Sequence, residues 1–324
     1  MARAARGGGC PAGRRGMIWP WVLGGVALAV AAAPAIAEAM RMPVTTRRRS
    51  EAPGEIAELP GGATHYRWTG SDGDPVAVCI HGLSTPSYVF AATERSLARL
   101  GYRVLTYDLY GRGYSERARG AQGVDFFLRQ LRELLRDQAV TGPLTVLGYS
   151  MGGQIAAAFA AEEASRVEAL ILIAPAGLVP AEKTESGWLW RAPLIGGWLT
   201  RVLGGIALRR ELIENRSTPT VIPDFEDRQA AETRTRGYLP ALLSSRRHLL
   251  AHASHGDHVR IRDHGTRVLA IWGAEDPVIP LAAMGKLASL NPRARHEQIA
   301  GAGHNLLQTH PAQVAEALRT FLAP

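Results

Sequence analysis

Short apolar segments alternate with helical segments along the chain from residue 63 to residue 177. The apolar segments carry few polar side chains, which is typical of strands buried on both faces of a sheet. The segments between them have apolar side chains at helical spacing, as at Phe127, Leu131 and Leu134. Strands joined by helices in this way lie parallel in one sheet, so the chain is predicted to have an α/β fold. The predicted strands are 75–80, 102–107, 144–147 and 167–173, and the predicted helices are 91–100, 124–138 and 154–163.

The alternation stops near Gly177 and resumes at a strand predicted over residues 267–272. The residues between are richer in Trp and Arg and look helical, so we expect a cap inserted above the sheet. A further strand is predicted over 296–299 and a closing helix over 313–322. The predicted organisation is a leader (1–40), a linker (41–62), the first part of the core (63–177), a helical cap (178–262) and the second part of the core (263–324).

The positive charge of the chain is concentrated at its amino end. The formal net charge is +8, and residues 1–50 carry +7 of it through eight Arg and one Glu. Residues 51–324 hold 29 basic and 28 acidic residues, so the predicted folded part is close to neutral. A nucleic-acid partner needs a basic surface for the phosphate backbone, and the sequence therefore predicts none. The two cysteines, Cys10 and Cys79, are too few for a structural zinc site.

Residues 17–37 contain no charged side chain and would form a helix of about 32 Å, long enough to cross a bilayer. Trp19 and Trp21 lie near one end, where indole rings favour the membrane interface. A retained single-pass anchor is the first interpretation, and it predicts membrane association through residues 17–37. Two alternatives stay open. Cleavage of a signal peptide near Ala37 would give a secreted or periplasmic protein, and translation from Met40 would give a cytoplasmic one.

Gly148-Tyr149-Ser150-Met151-Gly152 is the most specific motif in the sequence. It follows a predicted strand and opens an Ala-rich helix, which is the context that a G-x-S-x-G pattern requires. Small residues allow a sharp strand-to-helix turn that presents the Ser150 hydroxyl at the carboxyl edge of the sheet. Ser150 is therefore the candidate nucleophile. The N–H group of Met151 is a candidate donor to the oxyanion of a tetrahedral intermediate.

A second oxyanion donor is predicted in the loop after the strand over residues 75–80. The sequence His81-Gly82-Leu83 begins this loop, and we assign the Leu83 N–H group to the oxyanion hole together with that of Met151. His81 is expected to brace the loop, although a role as catalytic base stays open from the sequence.

Two later turns carry the groups that would activate Ser150. Asp276 follows a predicted strand, and Glu275 is the competing carboxylate. His304 lies in a glycine-rich turn, whereas His310 is expected to start the last helix. The chain order Ser, Asp, His is the order expected for a triad on such a sheet. Asp276 is therefore predicted to orient His304, which is predicted to act as general base.

In these motifs and their order, the chain resembles members of the α/β-hydrolase fold superfamily. Its layout is similar to that of monoacylglycerol-lipase-like esterases. The resemblance covers about residues 66–324. It implies a mostly parallel central sheet flanked by helices, with a cap above a Ser150–His304–Asp276 triad. It also implies that Asp108 shapes the loop beside the site. The matching residues are His81-Gly82, Asp108 to Ser115, Gly148 to Gly152, Asp276 and His304.

The predicted function is that of a serine hydrolase that cleaves small-molecule carboxylic esters through an acyl-enzyme, without a metal or an organic cofactor. A serine at the nucleophile position disfavours the chemistry of relatives that use an aspartate there. The same triad would serve hydrolysis of an amide or a C–C bond, or perhydrolysis, and these alternatives stay open. A membrane-tethered binding protein on a hydrolase scaffold is a further alternative, against which the intact triad argues.

The predicted cap carries two further features. Its early part is apolar, and it forms either an acyl-chain pocket, which would favour lipophilic esters, or the core of the cap itself. Its late part is rich in histidine, but no H-E-x-x-H motif is present, so metal binding is not expected. The apolar residues are Trp188, Leu189, Trp190, Leu194, Ile195, Trp198 and Leu199, and the histidines are His248, His252, His255, His258 and His264.

Overall fold

The structure is a computed structural model that describes residues 19–179, 192–214 and 220–323. Its centre is a sheet of the eight strands β1 (Glu55–Leu59), β2 (Gly62–Thr69), β3 (Val76–Ile80), β4 (Arg103–Tyr107), β5 (Leu144–Tyr149), β6 (Val167–Ile173), β7 (Arg267–Gly273) and β8 (Arg295–Ile299). Their order across the sheet is β1-β2-β4-β3-β5-β6-β7-β8. β2 pairs antiparallel with both β1 and β4, and every other neighbouring pair is parallel. The predicted mostly parallel α/β sheet is confirmed.

Helices lie along both faces of the sheet, and others precede its first strand or form the segment between β6 and β7. In chain order they are α1 (Trp19–Ala39), α2 (Thr46–Ser50), α3 (Ala91–Arg99), α4 (Val124–Asp137), α5 (Met151–Glu162), α6 (Pro193–Val202), α7 (Gly204–Glu214), α8 (Phe225–Thr233), α9 (Tyr238–His248), α10 (His255–His264), α11 (Ala282–Leu290), α12 (Leu306–Thr309) and α13 (Pro311–Leu322). A short 3₁₀ helix precedes α3. One apolar cluster packs α4 and α5 on one face, and another packs α3 and α13 on the opposite face.

The helix α4 illustrates how the sequence pattern positions an element. Phe127, Leu131 and Leu134 lie on one face of this helix, and all three side chains are fully buried against the sheet. Asp125 in the first turn and Arg136 in the last turn complement the helix dipole. Together these features hold the helix against the strands that end at the candidate site.

The predicted linker over residues 41–62 is wrong in its second half, because residues 55–59 form β1 and Gly62 begins β2. β1 is a short edge strand whose two glutamates are exposed, which is a common way of protecting a sheet edge. Its few apolar positions left no clear two-residue periodicity in the sequence. The preceding residues are also docked, since Arg49 binds Glu116 and the carbonyl of Tyr114.

The described residues between β6 and β7 are mainly helical and include α6 to α10. Helix α9 contacts the loop after β3, because the Tyr238 hydroxyl donates a hydrogen bond to the Ser84 carbonyl at 2.7 Å. Tyr238, Leu239 and Leu242 form a small apolar cluster with Leu83. These contacts set part of the predicted cap directly above the carboxyl edge of the sheet. Trp188 and Trp190, which the sequence analysis assigned to the cap, lie outside the described residues.

Helix α1 is long and apolar enough to cross a bilayer, with a mean hydropathy of 1.8 over its most apolar window. None of its residues is buried by the rest of the chain. Length and composition are the only grounds for this statement, and a signal sequence near an amino end satisfies the same criteria.

Candidate active site

Ser150 occupies the sharp turn between β5 and α5, as the motif predicted. Its backbone has φ 53° and ψ −119°, which is a conformation that costs a residue other than glycine about 1–3 kcal/mol. The turn is held by its neighbours. The Ser150 N–H donates to the carbonyl of Ile173 at 2.9 Å, and the Ser150 carbonyl accepts from Ala176 at 3.0 Å. The strain is therefore maintained by hydrogen bonds to β6 and the loop after it.

The glycines of the motif allow three backbone segments to approach one another. A Cβ atom on Gly152 would lie 2.0 Å from the carbonyl oxygen of Ile80 at the end of β3. A Cβ atom on Gly148 would lie 2.3 Å from the carbonyl oxygen of Gly152. Distances below 3.0 Å are not tolerated between such atoms, so these positions require glycine. The first turn of α5 can then pack directly on β3 and β5.

Ser150, His304 and Asp276 form one hydrogen-bonded chain. His304 Nε2 lies 3.0 Å from Ser150 Oγ, and His304 Nδ1 lies 2.8 Å from Asp276 Oδ2. The other carboxylate oxygen of Asp276 accepts hydrogen bonds from the N–H groups of Val278 and Ile279 at 2.7 and 2.9 Å. These two donors fix the carboxylate so that it faces the imidazole.

The competing residues from the sequence analysis lie elsewhere. Glu275 is exposed, and among the described residues its side chain makes no hydrogen bond or ion pair with His304. His310 precedes the closing helix α13, as expected, and its Nδ1 pairs with the Thr309 hydroxyl at 2.8 Å. Asp276 is thus the carboxylate that the fold brings to His304.

Tyr149 supports His304, and the sequence analysis did not single it out. Its ring stacks on the imidazole with centroids 5.4 Å apart and 30° between the planes. Its hydroxyl donates to the His304 carbonyl at 2.9 Å. Burial raises the pKa of Tyr149, so the hydroxyl remains a donor at neutral pH. The signal that could have found it is its place in the motif, one residue before Ser150.

The candidate oxyanion donors are the N–H groups of Met151, which directly follows Ser150, and of Leu83, which lines the same cleft as Ser150. Met151 is the first residue of α5, where the helix leaves its N–H without an intrahelical partner. Among residues 19–179, 192–214 and 220–323, neither of these two N–H groups has a hydrogen-bond acceptor. A Cβ atom on Gly82 would lie 3.3 Å from the Ser150 Cβ, so the loop after β3 passes close beside Ser150.

His81 braces this loop. Its Nδ1 donates to the Gly82 carbonyl at 2.8 Å, and its Nε2 accepts from the Leu109 N–H at 2.9 Å. Burial lowers the pKa of His81 to about 4, so the ring is neutral at physiological pH. Both ring nitrogens are occupied by backbone groups. The geometry therefore favours the bracing role over that of a catalytic base.

Arg112 is a second support that the sequence analysis did not single out, although it lies in the stretch that carried the resemblance. It is fully buried, and its Nε donates to the Leu83 carbonyl at 3.0 Å. Its terminal nitrogens reach Gln122 and the Ser245 hydroxyl of α9. Burial lowers the pKa of Arg112 to about 9, so the guanidinium remains charged at neutral pH. Arg112 therefore ties the Leu83 loop to the helix above it.

Asp108 has the position that the resemblance implied, beneath the loops beside the site. Its carboxylate accepts from the N–H and hydroxyl groups of Ser87, from Tyr114 N–H and from His65. Burial alone would raise the pKa of Asp108, but the charge and hydrogen bond of His65 hold it below its ordinary value. The ionised Asp108 therefore joins β2, the 3₁₀ helix that begins at Ser87 and the loop that carries Tyr114.

A cleft of about 560 Å³ opens above Ser150 and His304. Leu208 and Leu212 of α7 and Leu242 of α9 line it together with Ser150 and His304. The apolar side chains lining the cleft include Leu83, Val179, Leu208, Leu212, Phe225, Leu242 and Leu250.

In the described part of the chain, no three His, Cys, Asp or Glu side chains are placed to hold a metal ion. His255, from the histidine-rich segment, instead bonds to the Leu178 carbonyl.

A family model described as the alpha/beta hydrolase fold matches residues 75–311. This match spans most of the chain, including the segments that carry Ser150, Asp276 and His304. The fold, with its strand–turn–helix at Ser150, defines the class of α/β hydrolases, and the chain belongs to this family.

Curated relatives within this family include hydrolases named for different substrates. The 2-hydroxymuconate semialdehyde hydrolase of Pseudomonas sp. (strain CF600) is 32% identical over 233 residues, covering 68% of this chain and 76% of that protein. A pimeloyl-[acyl-carrier protein] methyl ester esterase of Xanthomonas oryzae pv. oryzae is 27% identical over 264 residues, covering 77% and 95%.

Among solved structures, a bacterial membrane phospholipase A superposes with a TM-score of 0.69 at 21% identity, covering 94% of this chain and 96% of that one. At this level of identity the superposition shows the shared fold.

Proposed function

We propose that this protein is a serine hydrolase that cleaves carboxylic esters with lipophilic acyl groups through an acyl-enzyme. In this proposal Ser150 is the nucleophile, His304 the general base and Asp276 the group that orients the imidazole. The observation that carries the proposal is the hydrogen-bonded chain from Ser150 Oγ to His304 Nε2 (3.0 Å) and from His304 Nδ1 to Asp276 (2.8 Å). It lies at the floor of a cleft wide enough for a small substrate.

The proposed reaction has two half-reactions with the same geometry. Ser150 Oγ attacks the ester carbonyl while His304 Nε2 accepts its proton, and the N–H groups of Leu83 and Met151 stabilise the oxyanion. The imidazolium then donates this proton to the leaving alkoxide, which departs as the alcohol. Water next attacks the acyl-enzyme with His304 again as base, releasing the carboxylic acid and restoring Ser150.

The lining of the cleft supports a lipophilic acyl group. Leu208 and Leu212 of α7 face the cleft together with Leu242 of α9. An acyl chain lying against these side chains would remove apolar surface from water, which is favourable by about 0.8 kcal/mol for each buried methylene. The proposal also includes a membrane location with α1 as a retained anchor, for which the length and apolar composition of α1 are the support.

Hydrolysis of a C–C bond is a second candidate, because the relative at 32% identity is named a hydrolase of 2-hydroxymuconate semialdehyde, a compound that has no ester or amide bond to hydrolyse. The same nucleophile and base would serve it, and the difference would lie in the groups that bind the substrate. We therefore design the test to separate the two candidates.

The test is a series of p-nitrophenyl esters from acetyl to dodecanoyl, assayed in detergent with 2-hydroxymuconate semialdehyde alongside. We expect kcat/KM to rise with chain length by up to about fourfold per methylene, until the cleft is filled. Leu208→Asn should flatten this dependence, because it introduces an amide into the apolar wall. The matched control Ala207→Asn, at the exposed position beside it on α7, should not.

Three outcomes would contradict parts of the proposal. A strong preference for acetyl esters would exclude the lipophilic acyl group while leaving the serine chemistry intact. Efficient cleavage of the semialdehyde with negligible ester hydrolysis would favour the C–C hydrolase. Absence of turnover with every substrate, together with tight binding of one of them, would favour a binding protein.

A further inference from the structure

The carbonyl of Val30 in α1 has lost its partner within the helix. An α-helical carbonyl accepts from the N–H four residues later, and that residue here is Pro34, which has no N–H. Trp198 of α6 supplies the missing donor, because its indole Nε1 lies 2.7 Å from the Val30 carbonyl oxygen. In an apolar environment an unsatisfied carbonyl costs several kcal/mol, so this contact specifies where α1 rests on α6.

The carboxyl end of α1 is bound to the same part of the molecule. Arg236, in the turn between α8 and α9, donates to the carbonyls of Glu38 and Ala39 at 3.0 and 2.7 Å. The Glu38 carboxylate accepts from the Gly237 N–H at 2.9 Å, and Arg41 donates to the Arg201 carbonyl at the end of α6. Two separate attachments, at Val30 and at Glu38, therefore fix the direction of α1 relative to α6.

An apolar surface is exposed on α6 and α7, which we call the cap face. It consists of Leu194, Ile195, Leu203, Ile206 and Ile213, whose exposure ranges from 43% at Leu203 to 87% at Leu194. Leu208 and Leu212 on the other side of α7 line the cleft. Helix α7 thus presents apolar side chains both to the cleft and to the outside, a distribution typical of a helix with apolar surroundings on both sides.

We propose that the cap face lies against the lipid bilayer that α1 enters. The proposal rests on the membrane location of α1 given above. Helix α6 contacts α1 at Val30, which lies seven residues, or about 10 Å, before Ala37, the last residue of the apolar stretch 17–37. When α1 crosses the bilayer, this contact places α6 and its neighbour α7 in the leaflet at the carboxyl end of α1, at the depth of an interfacial helix. The exposed leucine and isoleucine side chains of the cap face are then withdrawn from water.

The test uses the full chain with Cys10→Ser, reconstituted in phosphatidylcholine vesicles with and without a nitroxide-labelled phosphatidylcholine. The remaining cysteine, Cys79, is buried and does not react with the probe. Single cysteines at Ile206, Leu23 and Thr141 carry an environment-sensitive fluorophore. Leu23 reports on α1, and Thr141 is an exposed residue just before β5, at the opposite edge of the sheet from Ser150.

We expect a blue-shifted emission and nitroxide quenching at Ile206 and Leu23, and neither effect at Thr141. Quenching at Leu23 with none at Ile206 would overturn the inference and leave the anchor intact. No quenching at Leu23 would overturn the membrane location as well, without bearing on the serine chemistry.

Trp198→Phe removes the indole donor but keeps an aromatic ring, and it should reduce the quenching at Ile206 while that at Leu23 persists. Unchanged quenching at Ile206 would contradict the claim that the hydrogen bond from Trp198 to Val30 positions α6 on α1.

Discussion

Replacing Ser150 by alanine is expected to lower kcat for ester hydrolysis by about 10⁵- to 10⁶-fold, the loss typical of removing the nucleophile of a serine triad. The Oγ atom is the only part of Ser150 that the proposed chemistry uses, and its hydrogen bond to His304 is the only side-chain bond it makes in the described structure. Alanine bears the same strain as serine at the positive φ of the turn. The free energy of unfolding of the Ser150→Ala protein should therefore stay within about 0.5 kcal/mol of that of the wild type.

Glycine at the same position separates stability from activity. Ser150→Gly should be as inactive as the alanine variant, yet it should raise the free energy of unfolding by about 1 kcal/mol, because glycine adopts φ 53° and ψ −119° without strain. Ser289→Gly, at an exposed position in α11, is the matched control and should lose stability. Urea denaturation measures all three variants. Wild-type-like turnover of the alanine variant, or destabilisation by Ser150→Gly, would contradict these expectations.

Replacing Gly152 by alanine is expected to cost about 3 kcal/mol or more of stability and most of the activity. The new Cβ would lie 2.0 Å from the carbonyl oxygen of Ile80 and 2.6 Å from that of His81, and both atoms belong to the backbone. Because neither can rotate away, α5 must move off β3. Such a movement separates the N–H groups of Met151 and Leu83, which the proposed oxyanion hole needs at a fixed spacing.

Gly256→Ala provides the comparison for this variant. Gly256 lies in the first turn of α10, and no atom lies within 4 Å of the Cβ it would gain. The substitution should be neutral or stabilising by about 0.5–1 kcal/mol, because alanine is the better helix former. Thermal denaturation and kcat/KM of both variants test the point. A Gly152→Ala protein with the stability of Gly256→Ala would contradict the close packing of α5 on β3.

The sheet could be predicted from the sequence because the pattern that identifies each strand and helix lies within that element. Buried strands such as β5 and β6 are largely apolar runs, and α4 carries its buried residues at helical spacing. The positions of Ser150, Asp276 and His304 followed from motifs at strand ends, since parallel strands bring their carboxyl ends to one edge of the sheet. β1 was missed because five residues at a sheet edge, two of them exposed glutamates, give too little pattern to distinguish a strand from a linker.

The supporting contacts were missed for a different reason. Arg112 reaches the Leu83 loop, and Trp198 reaches α1, across 29 and 168 positions of sequence respectively. No local pattern encodes such contacts, because they depend on how distant elements pack. A proline at position 34 of an apolar helix implies an unpaired carbonyl four residues earlier, a point that the sequence analysis did not draw, and only the folded chain shows which side chain pairs with it.

The most direct measurement is the mass of the intact protein after reaction with a fluorophosphonate, followed by peptide mapping of the adduct. If Ser150 is the activated nucleophile, one phosphonyl group should be added per chain and should map to Ser150. His304→Ala should slow the labelling strongly, because the proton on Ser150 Oγ would have no acceptor. An adduct on another residue, or labelling at an unchanged rate in the His304→Ala protein, would contradict the proposed chemistry.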